Sequence, residues 1–268
     1  GYYVGIDPDH EGIYSASDGA VKRYEASKSK FPGFGKVTYL QADAGVILNS
    51  NEQSKSFPNM NKQNKSNMDT IFAKKNQFDI INSSFALHYM FGTKLTINNL
   101  VENIKNNLKV GGFVIFEIFD ADIIMKMMGN NNKITSYYTN DEGKKLKFFE
   151  IVKKFEGDLK DKPGEAIDVY LSWFMEEGKY IEEYLVSKKL ILDTMEKAGC
   201  MLVDTELFSS IYEINKPYFQ NVINYEENPK NKKFFERIAH FYDDLKGADK
   251  ESRNYSFLNR YYVFKKIN

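Results

Sequence analysis

The run from Phe78 to Phe119 limits the possible folds of this chain more than any other stretch. Phe78-Asp-Ile-Ile-Asn82 is a short apolar-rich run followed by polar residues. Leu95 to Leu108 then places apolar residues at Ile97, Leu100, Val101, Ile104 and Leu108, and Phe113-Val-Ile-Phe-Glu-Ile-Phe119 follows Gly111-Gly112. Short apolar runs bounded by turn residues predict buried strands. The three-and-four spacing predicts a helix with one apolar face. A helix lying between two strands makes those strands parallel, because a hairpin would need only a tight turn. Gly1 to Ile6, ending at Asp7-Pro8-Asp9, and Lys36 to Gln41, stopping at Asp43, are two further strand-like runs. Ile13 to Ser27 has helical character between them. The alternation predicts an α/β fold with a parallel, doubly wound sheet.

Beyond Asp122 the pattern changes. Lys147 to Phe155, Ala166 to Met175 and Tyr180 to Val186 are β-rich and separated by polar turns such as Lys162-Pro163-Gly164-Glu165. Ile167, Val169, Leu171 and Trp173 alternate with Asp168, Tyr170, Ser172 and Phe174, the period of an antiparallel meander. An insertion at about residues 125–186, packed over the carboxyl edge of the sheet, is expected. Ser187 to Lys197 predicts a helix closed by Ala198-Gly199. Met201 to Phe208 predicts a strand, Pro229 to Leu245 a helix, and Arg260 to Lys266 a last strand. Ser50 to Met68, rich in Asn, Lys and Ser, predicts a mobile loop, followed by a short helix from Met68 to Lys75. One domain over 1–268 with one insertion is the expected organisation.

Charge and cysteine content narrow the chemistry. Lys+Arg and Asp+Glu balance at 37 each, so no global field steers the chain along a nucleic-acid duplex. Contact with nucleic acid would have to be local, at an end. A single cysteine, Cys200, excludes a disulfide framework within the chain, and His10, His88 and His240 lack metal-ligand spacing. No apolar run approaches the roughly 18 residues of a membrane span, and no signal peptide opens the chain. An intracellular soluble protein without a metal is expected.

Ligands of open α/β sheets bind beyond the carboxyl ends of the strands. The turn after the Phe78 strand presents Phe85, His88 and Tyr89 there, a flat surface with hydrogen-bonding tips that suits a planar heterocycle. A core strand capped by aromatics reads equally well. Asp7, ending the first strand, could accept both hydroxyls of a ribose, although Asp-Pro-Asp is also a common turn. Asp43 is placed for a second polar contact, or for capping a helix.

Phe78-Asp79, Phe85, His88-Tyr89 and Phe91 in this spacing resemble the signature of mRNA cap guanine-N7 methyltransferases. Leu108-Lys-Val-Gly111-Gly112-Phe113, Glu182-Glu183-Tyr184-Leu185-Val186 and Tyr262-Val263-Phe264-Lys265-Lys266 agree in order and content. Asp7-Pro8-Asp9, Asp120-Ala121-Asp122 and Lys233-Phe234-Phe235-Glu236 look most like the methyltransferase domains of large cytoplasmic DNA virus capping enzymes, of the poxvirus and African swine fever virus kind.

The resemblance covers essentially the whole chain. It implies a Rossmann-like class I methyltransferase sheet, parallel with an antiparallel last strand and carrying an antiparallel β insertion. It further implies transfer of a methyl group from S-adenosylmethionine to guanine N7 of a capped RNA 5′ end, releasing S-adenosylhomocysteine, in the host cytoplasm or virion. Asp7 would hold the cofactor ribose and Asp43 its adenine amino group, with Ser84 and Phe85 lining the cofactor. His88 and Tyr89 would contact the guanine, and Glu183 would accept from its N1 and N2 hydrogens. Phe119 would stand against the base, and Arg23 is a candidate for the cap triphosphate. Fused triphosphatase and guanylyltransferase domains upstream, and a stimulatory subunit, are compatible with it.

Two departures stand out. The strand ending in Asp/Glu-x-Gly-x-Gly, central in the family order 3-2-1-4-5-7-6, has no counterpart before Asp7. The chain is therefore expected to be the carboxy-terminal part of a longer protein. Asn259 stands near where the family has a pocket tyrosine, with Tyr261 and Tyr262 slightly later. A class I methyltransferase acting on a small molecule, and an incomplete methyltransferase fold serving as an accessory subunit, are the alternatives.

Overall fold

Two parallel pairings, rather than one continuous sheet, organise the predicted parallel strands. The computed structural model describes residues 1–30, 33 and 35–268, with the backbone alone for Gln220. The first half runs β1 (Tyr2–Asp7), α1 (His10–Tyr14), α2 (Ala20–Lys30), β2 (Lys36–Gln41), α3 (Ser50–Ser56), α4 (Lys62–Phe72) and β3 (Phe78–Ser84). A 3₁₀ turn (Leu87–Phe91), α5 (Lys94–Asn107), β4 (Leu108–Phe119) and α6 (Ala121–Met128) follow. Next come β5 (Lys133–Thr139), β6 (Lys145–Lys153), β7 (Ala166–Leu171) and β8 (Ile181–Tyr184). The chain finishes with α7 (Lys188–Lys197), β9 (Cys200–Leu207), α8 (Phe208–Tyr225), α9 (Pro229–His240), α10 (Gly247–Ser256) and β10 (Asn259–Lys266).

β1 pairs with β2 in parallel, Asp7 opposite Gln41. β3 pairs with β4 in parallel, and β10 runs antiparallel between β4 and β9, giving the order β3-β4-β10-β9. Among the described residues the second edges of β1 and β3 pair with nothing. Both line one apolar cleft, β1 through Val4 and Ile6 and β3 through Ile80 and Ile81, with Leu100 and Ile104 of α5 beside them. Asn103 of α5 ties the two pieces together. Its amide donates to the carbonyls of Ala44 and Val46 at 3.0 and 2.9 Å, and its oxygen accepts from Leu48 N at 3.1 Å.

The periodicity of α5 does what its spacing predicts. Ile97, Leu100, Val101 and Ile104 are buried against Val114, Phe116 and Ile118 of β4, with Leu190, Ile191 and Met195 of α7 in the same core. Phe116 stacks on Tyr262 and Phe264 of β10 at 5.2 and 5.9 Å between ring centroids, so Tyr262 faces the core. Thr93 and Thr96 form a reciprocal cap at the start of α5.

The insertion is a four-stranded antiparallel sheet in the order β5-β6-β7-β8. Its first strand, β5, was not expected, since Lys133-Ile-Thr-Ser-Tyr-Tyr-Thr139 offers only one aliphatic side chain. Period two holds for Ile167 and Val169, which are fully buried, but the strand ends at Leu171, Tyr170 is buried on the other face, and Trp173 is 54% exposed beyond the strand. Leu185 N donates to Glu165 O and Gly164 N to Phe91 O, which docks the insertion beside the 3₁₀ turn. Gly92 permits this approach, because a Cβ there would lie 2.7 Å from the Tyr184 ring.

Several expectations need correction. Residues 50–68 are not a mobile loop but α3 and most of α4, capped by Asn49 and Asn61. Burial there is partly polar: Met60 and Met68 join Leu40 and Ala42 in a small apolar cluster, while Gln53 donates to Asp43 O and Val46 O, and Asn64 exchanges bonds with the Gln41 backbone. The short helix expected at 68–75 is the end of α4. The Phe78 strand is half open rather than buried, with Ile80 56% exposed, because its outer edge faces the cleft. β4 begins at Leu108, so Gly111 and Gly112 lie within it. Gly112 packs on the Asp79 carbonyl, 2.8 Å from where a Cβ would stand. The helix expected over 229–245 ends at His240, and α6, α8 and α10 are additional.

Candidate functional site

β3 ends at Ser84, and the next residue turns sharply. Phe85 has φ +54°, the left-handed region that bulky residues seldom occupy. Its amide still bonds to Glu117 O of β4. The turn throws the Phe85 ring outward, 52% exposed, against Phe208 at the start of α8 at 6.1 Å. The 3₁₀ turn then carries His88 inward and Tyr89 half outward, their rings 4.1 Å apart.

Glu183 arrives from the insertion. On β8 it lies opposite Ile167 of β7, and directly opposed residues of an antiparallel pair share a face. Ile167 faces the apolar core, so Glu183 faces inward as well. It is 9% exposed, and its Oε2 lies 3.3 Å from Nε2 of His88, itself 5% exposed. The geometry between them does not make a hydrogen bond, and Nε2 is left without a partner among the described residues. Tyr89 donates its hydroxyl to Glu183.

Burial governs the protonation of this cluster. It lowers His88 to about 4, leaving a neutral imidazole, and raises Glu183 to about 7 against the opposing Tyr89 bond. Tyr89 is pushed up to about 12 by burial and by the adjacent carboxylate.

These groups line a cavity of about 490 Å³ together with Phe119, Trp173, Phe174, Tyr255 and Asn259, within the size range of small-ligand sites. Trp173 is 54% exposed and packs edge-on against Tyr255 at 5.4 Å. The Tyr255 hydroxyl is raised above its ordinary value by burial and then by Glu183 and Tyr89. The cavity therefore offers aromatic walls and one inward carboxylate. It suits a planar ring that presents hydrogen-bond donors along one edge.

Of the residues singled out in the sequence, Phe85, His88, Tyr89, Phe119, Glu183 and Asn259 line this cavity. Phe119 is buried beneath Tyr255, its ring edge-on at 5.6 Å. Asn259 donates to the carbonyls of Tyr255 and Ser256, capping the end of α10. Asp7, Asp43, Ser84 and Arg23 do not line it. Asp7 Oδ1 accepts from Asp9 N at 2.8 Å, and Asp43 Oδ1 from Gly45 N at 2.7 Å. Ser84 Oγ accepts from Asn82, and Arg23 on α2 donates to the Asp18 carbonyl.

Tyr255 and Glu117 were missed in the sequence. Tyr255 comes from α10, one helical turn before Asn259; the helix itself was the signal that went unread. Glu117 lies opposite Ser84 across the β3–β4 ladder and has a buried Oε2 without a partner. An acid inside the apolar run 113–119 could have flagged it. No group of three or more His, Cys, Asp and Glu among the described residues could hold a metal ion, and none of the described helices is long and apolar enough to cross a membrane.

The chain is 34% identical over 99% of its length to a probable mRNA-capping enzyme of Acanthamoeba polyphaga mimivirus, of which it spans 24%. It is 24% identical over 70% of its length to an mRNA cap guanine-N(7) methyltransferase of Lodderomyces elongisporus, spanning 32% of that protein. The chain thus spans a third or less of these relatives. A solved S-adenosylmethionine-dependent methyltransferase from Clostridium acetobutylicum aligns over 98% of this chain and 74% of its own, at 13% identity and a TM-score of 0.42. The profile of the mRNA (guanine-N(7))-methyltransferase domain matches residues 3–267. That match takes in the Phe85–Tyr89 turn and Glu183 alike, and with it the chain belongs to the mRNA cap guanine-N7 methyltransferase family.

Proposed function

We propose that the chain methylates N7 of the guanine at a capped RNA 5′ end with S-adenosylmethionine as donor. The observation that carries the reading is the inward carboxylate of Glu183 in an aromatic cavity beside a neutral His88. Guanine presents N1–H and N2–H₂ donors on one edge, whereas adenine places an acceptor at N1. A buried carboxylate therefore favours guanine, because the adenine acceptor would leave both sides unpaired. Trp173 and Tyr255 supply ring surfaces for the base, and Tyr89 holds the carboxylate in place.

The chemistry asks no side chain to take a proton. Guanine N7 already carries the lone pair that accepts the methyl group, so orientation and exclusion of water are what the protein must provide. Positive charge reaches the purine as the methyl moves, and an ionised Glu183 in the same cavity would stabilise it there. S-adenosylmethionine supplies the electrophilic methyl when bound. Residues 1–268 fit part of that cofactor. Asp7 and Asp43 each keep one carboxylate oxygen outside their turn bonds, and Ser84, Phe85 and the orphaned Glu117 oxygen lie at the β3 end. A Gly-rich loop for the methionine end is not among these residues.

The cleft between β1 and β3 bears on that gap. Two parallel edges, apolar side chains and the unpartnered Asn107 Oδ1 face the same space. We propose that a further parallel strand, carrying the glycine loop, fills it, and that the chain works as one part of a longer capping protein. An incomplete accessory fold is the second reading, favoured by the same open cleft. A methyl-transfer assay on a polypeptide extended at the amino terminus separates them. Label on N7 of GpppG, absent from ApppA, supports catalysis. Cap binding without turnover supports the accessory reading.

A further inference from the structure

Beside the guanine cavity, on the other side of α10, lies a second hollow of about 460 Å³. Ser252 and Ser256, one helical turn apart, border both. The Phe85–Phe208 ring contact joins them a second time, since Phe85 lines the first and Phe208 the second.

The floor of this hollow is aromatic. Tyr212 stacks on Tyr242 at 4.6 Å and 8° between planes, and Tyr242 stacks on Phe219 at 4.9 Å. The Arg253 guanidinium lies 5.2 Å from the Tyr212 ring centre and donates to the Tyr212 hydroxyl and to the carbonyls of Phe241 and Asp243. It pairs with no carboxylate among the described residues, so its charge faces the hollow unneutralised.

α9 leads to the rim. Lys230, Lys233 and Arg237 recur at i, i+3 and i+7, which places them on one face, with Phe234 among them. Phe241 follows on the same line, just past the end of the helix. All five are exposed and none of the three cations has an acidic partner among the described residues. Glu236, the single acid of α9, flanks the stripe at i+3 from Lys233 but forms no ion pair with it. The stripe runs about 16 Å at 1.5 Å per residue. Cations alternating with exposed rings suit a flexible single strand, whose phosphates and base faces are both accessible.

We infer that the second hollow and the α9 stripe hold the RNA strand immediately following the cap, with a base on Phe241 and phosphates on Lys230, Lys233, Arg237 and Arg253. The inference rests on the cap-methyltransferase reading and adds to it a site for the RNA body. A duplex would not follow the aromatic hollow, whereas an unpaired 5′ segment can.

Three tests bear on it. Methyl transfer is measured with GpppG and with a capped ten-nucleotide RNA, for the protein and for a Lys230→Gln/Lys233→Gln/Arg237→Gln variant. KM for the capped RNA should rise about tenfold in the variant while KM for GpppG stays within about twofold. The slope of log affinity against log salt for the RNA should shrink by about two, from three phosphate contacts at about 0.7 each. Phe234→Ala/Phe241→Ala should weaken RNA binding by about tenfold while leaving that slope unchanged. Equal KM values for RNA in variant and parent, or parallel losses for RNA and GpppG, would overturn the inference. Binding of an uncapped 5′-triphosphate RNA keeps the two claims separate. If GpppG is never methylated but this RNA still loses two units of salt slope in the variant, the cap reading fails and the track stands.

Discussion

Nε2 of His88 and Oε2 of Glu183 stand 3.3 Å apart, both buried, drawn from the turn after β3 and from the inserted sheet. Burial disfavours charge on both groups, so His88 is neutral and Glu183 is only partly ionised near pH 7, where an exposed carboxylate would be fully ionised. Glu183 raised to about 7 means that the carboxylate becomes fully available just above neutral pH.

Cap binding should therefore strengthen as pH rises from 6 to 8 in the parent protein. Glu183→Gln should remove most of that dependence and weaken GpppG binding by at least about thirtyfold, by loss of a charged acceptor. Fluorescence titration with a cap analogue across this range reads both effects.

Stability should show the opposite sign. An acid whose folded value is raised holds its proton longer in the native state, so stability falls as pH rises from its unfolded value of about 4.5 to about 7. The full effect is on the order of 3 kcal/mol for a shift of this size. His88, lowered to about 4, acts the other way: its contribution is present above about 6.5 and is lost as pH falls towards 4. The two oppose each other up to about pH 7, so the interval from 7 to 8 is governed mainly by Glu183. Urea unfolding should show stability declining there in the parent and flat in Glu183→Gln.

Tyr89→Phe tests the positioning of that carboxylate. Losing the donated hydroxyl should push Glu183 higher still and move the pH profile of cap binding to the alkaline side. A rise in KM for GpppG with a much smaller change in kcat is expected, since no proton transfer is lost.

Asn103→Ala tests how the two sheet pieces are joined. It deletes three hydrogen bonds from a side chain 6% exposed, and leaving their backbone partners unsatisfied should cost about 2–4 kcal/mol. Amide exchange should quicken in β1 and β2, while the β4–β10–β9 ladder keeps its protection up to global unfolding.

Much of the fold was legible because its strongest signals are periodic. α5 buries the side chains its spacing selects, β7 buries Ile167 and Val169, and Glu183 faces inward because Ile167 does. The misses share a physical cause. α3 and α4 bury Gln53 and Asn64 through bonds to backbone, which a count of apolar residues reads as loop. β3 has an apolar composition but one open edge, so Ile80 is exposed. Tyr255 reaches the cavity only through a helix that was not anticipated.

The most direct measurement is the position and base dependence of methyl transfer by the amino-terminally extended polypeptide, with GpppG and ApppA compared side by side. The account predicts a 7-methylguanine product from GpppG, at least about a hundredfold less from ApppA, and loss of the GpppG product in Glu183→Gln. Equal transfer to both acceptors, or a Glu183→Gln variant as active as its parent at pH 7.5, would contradict it.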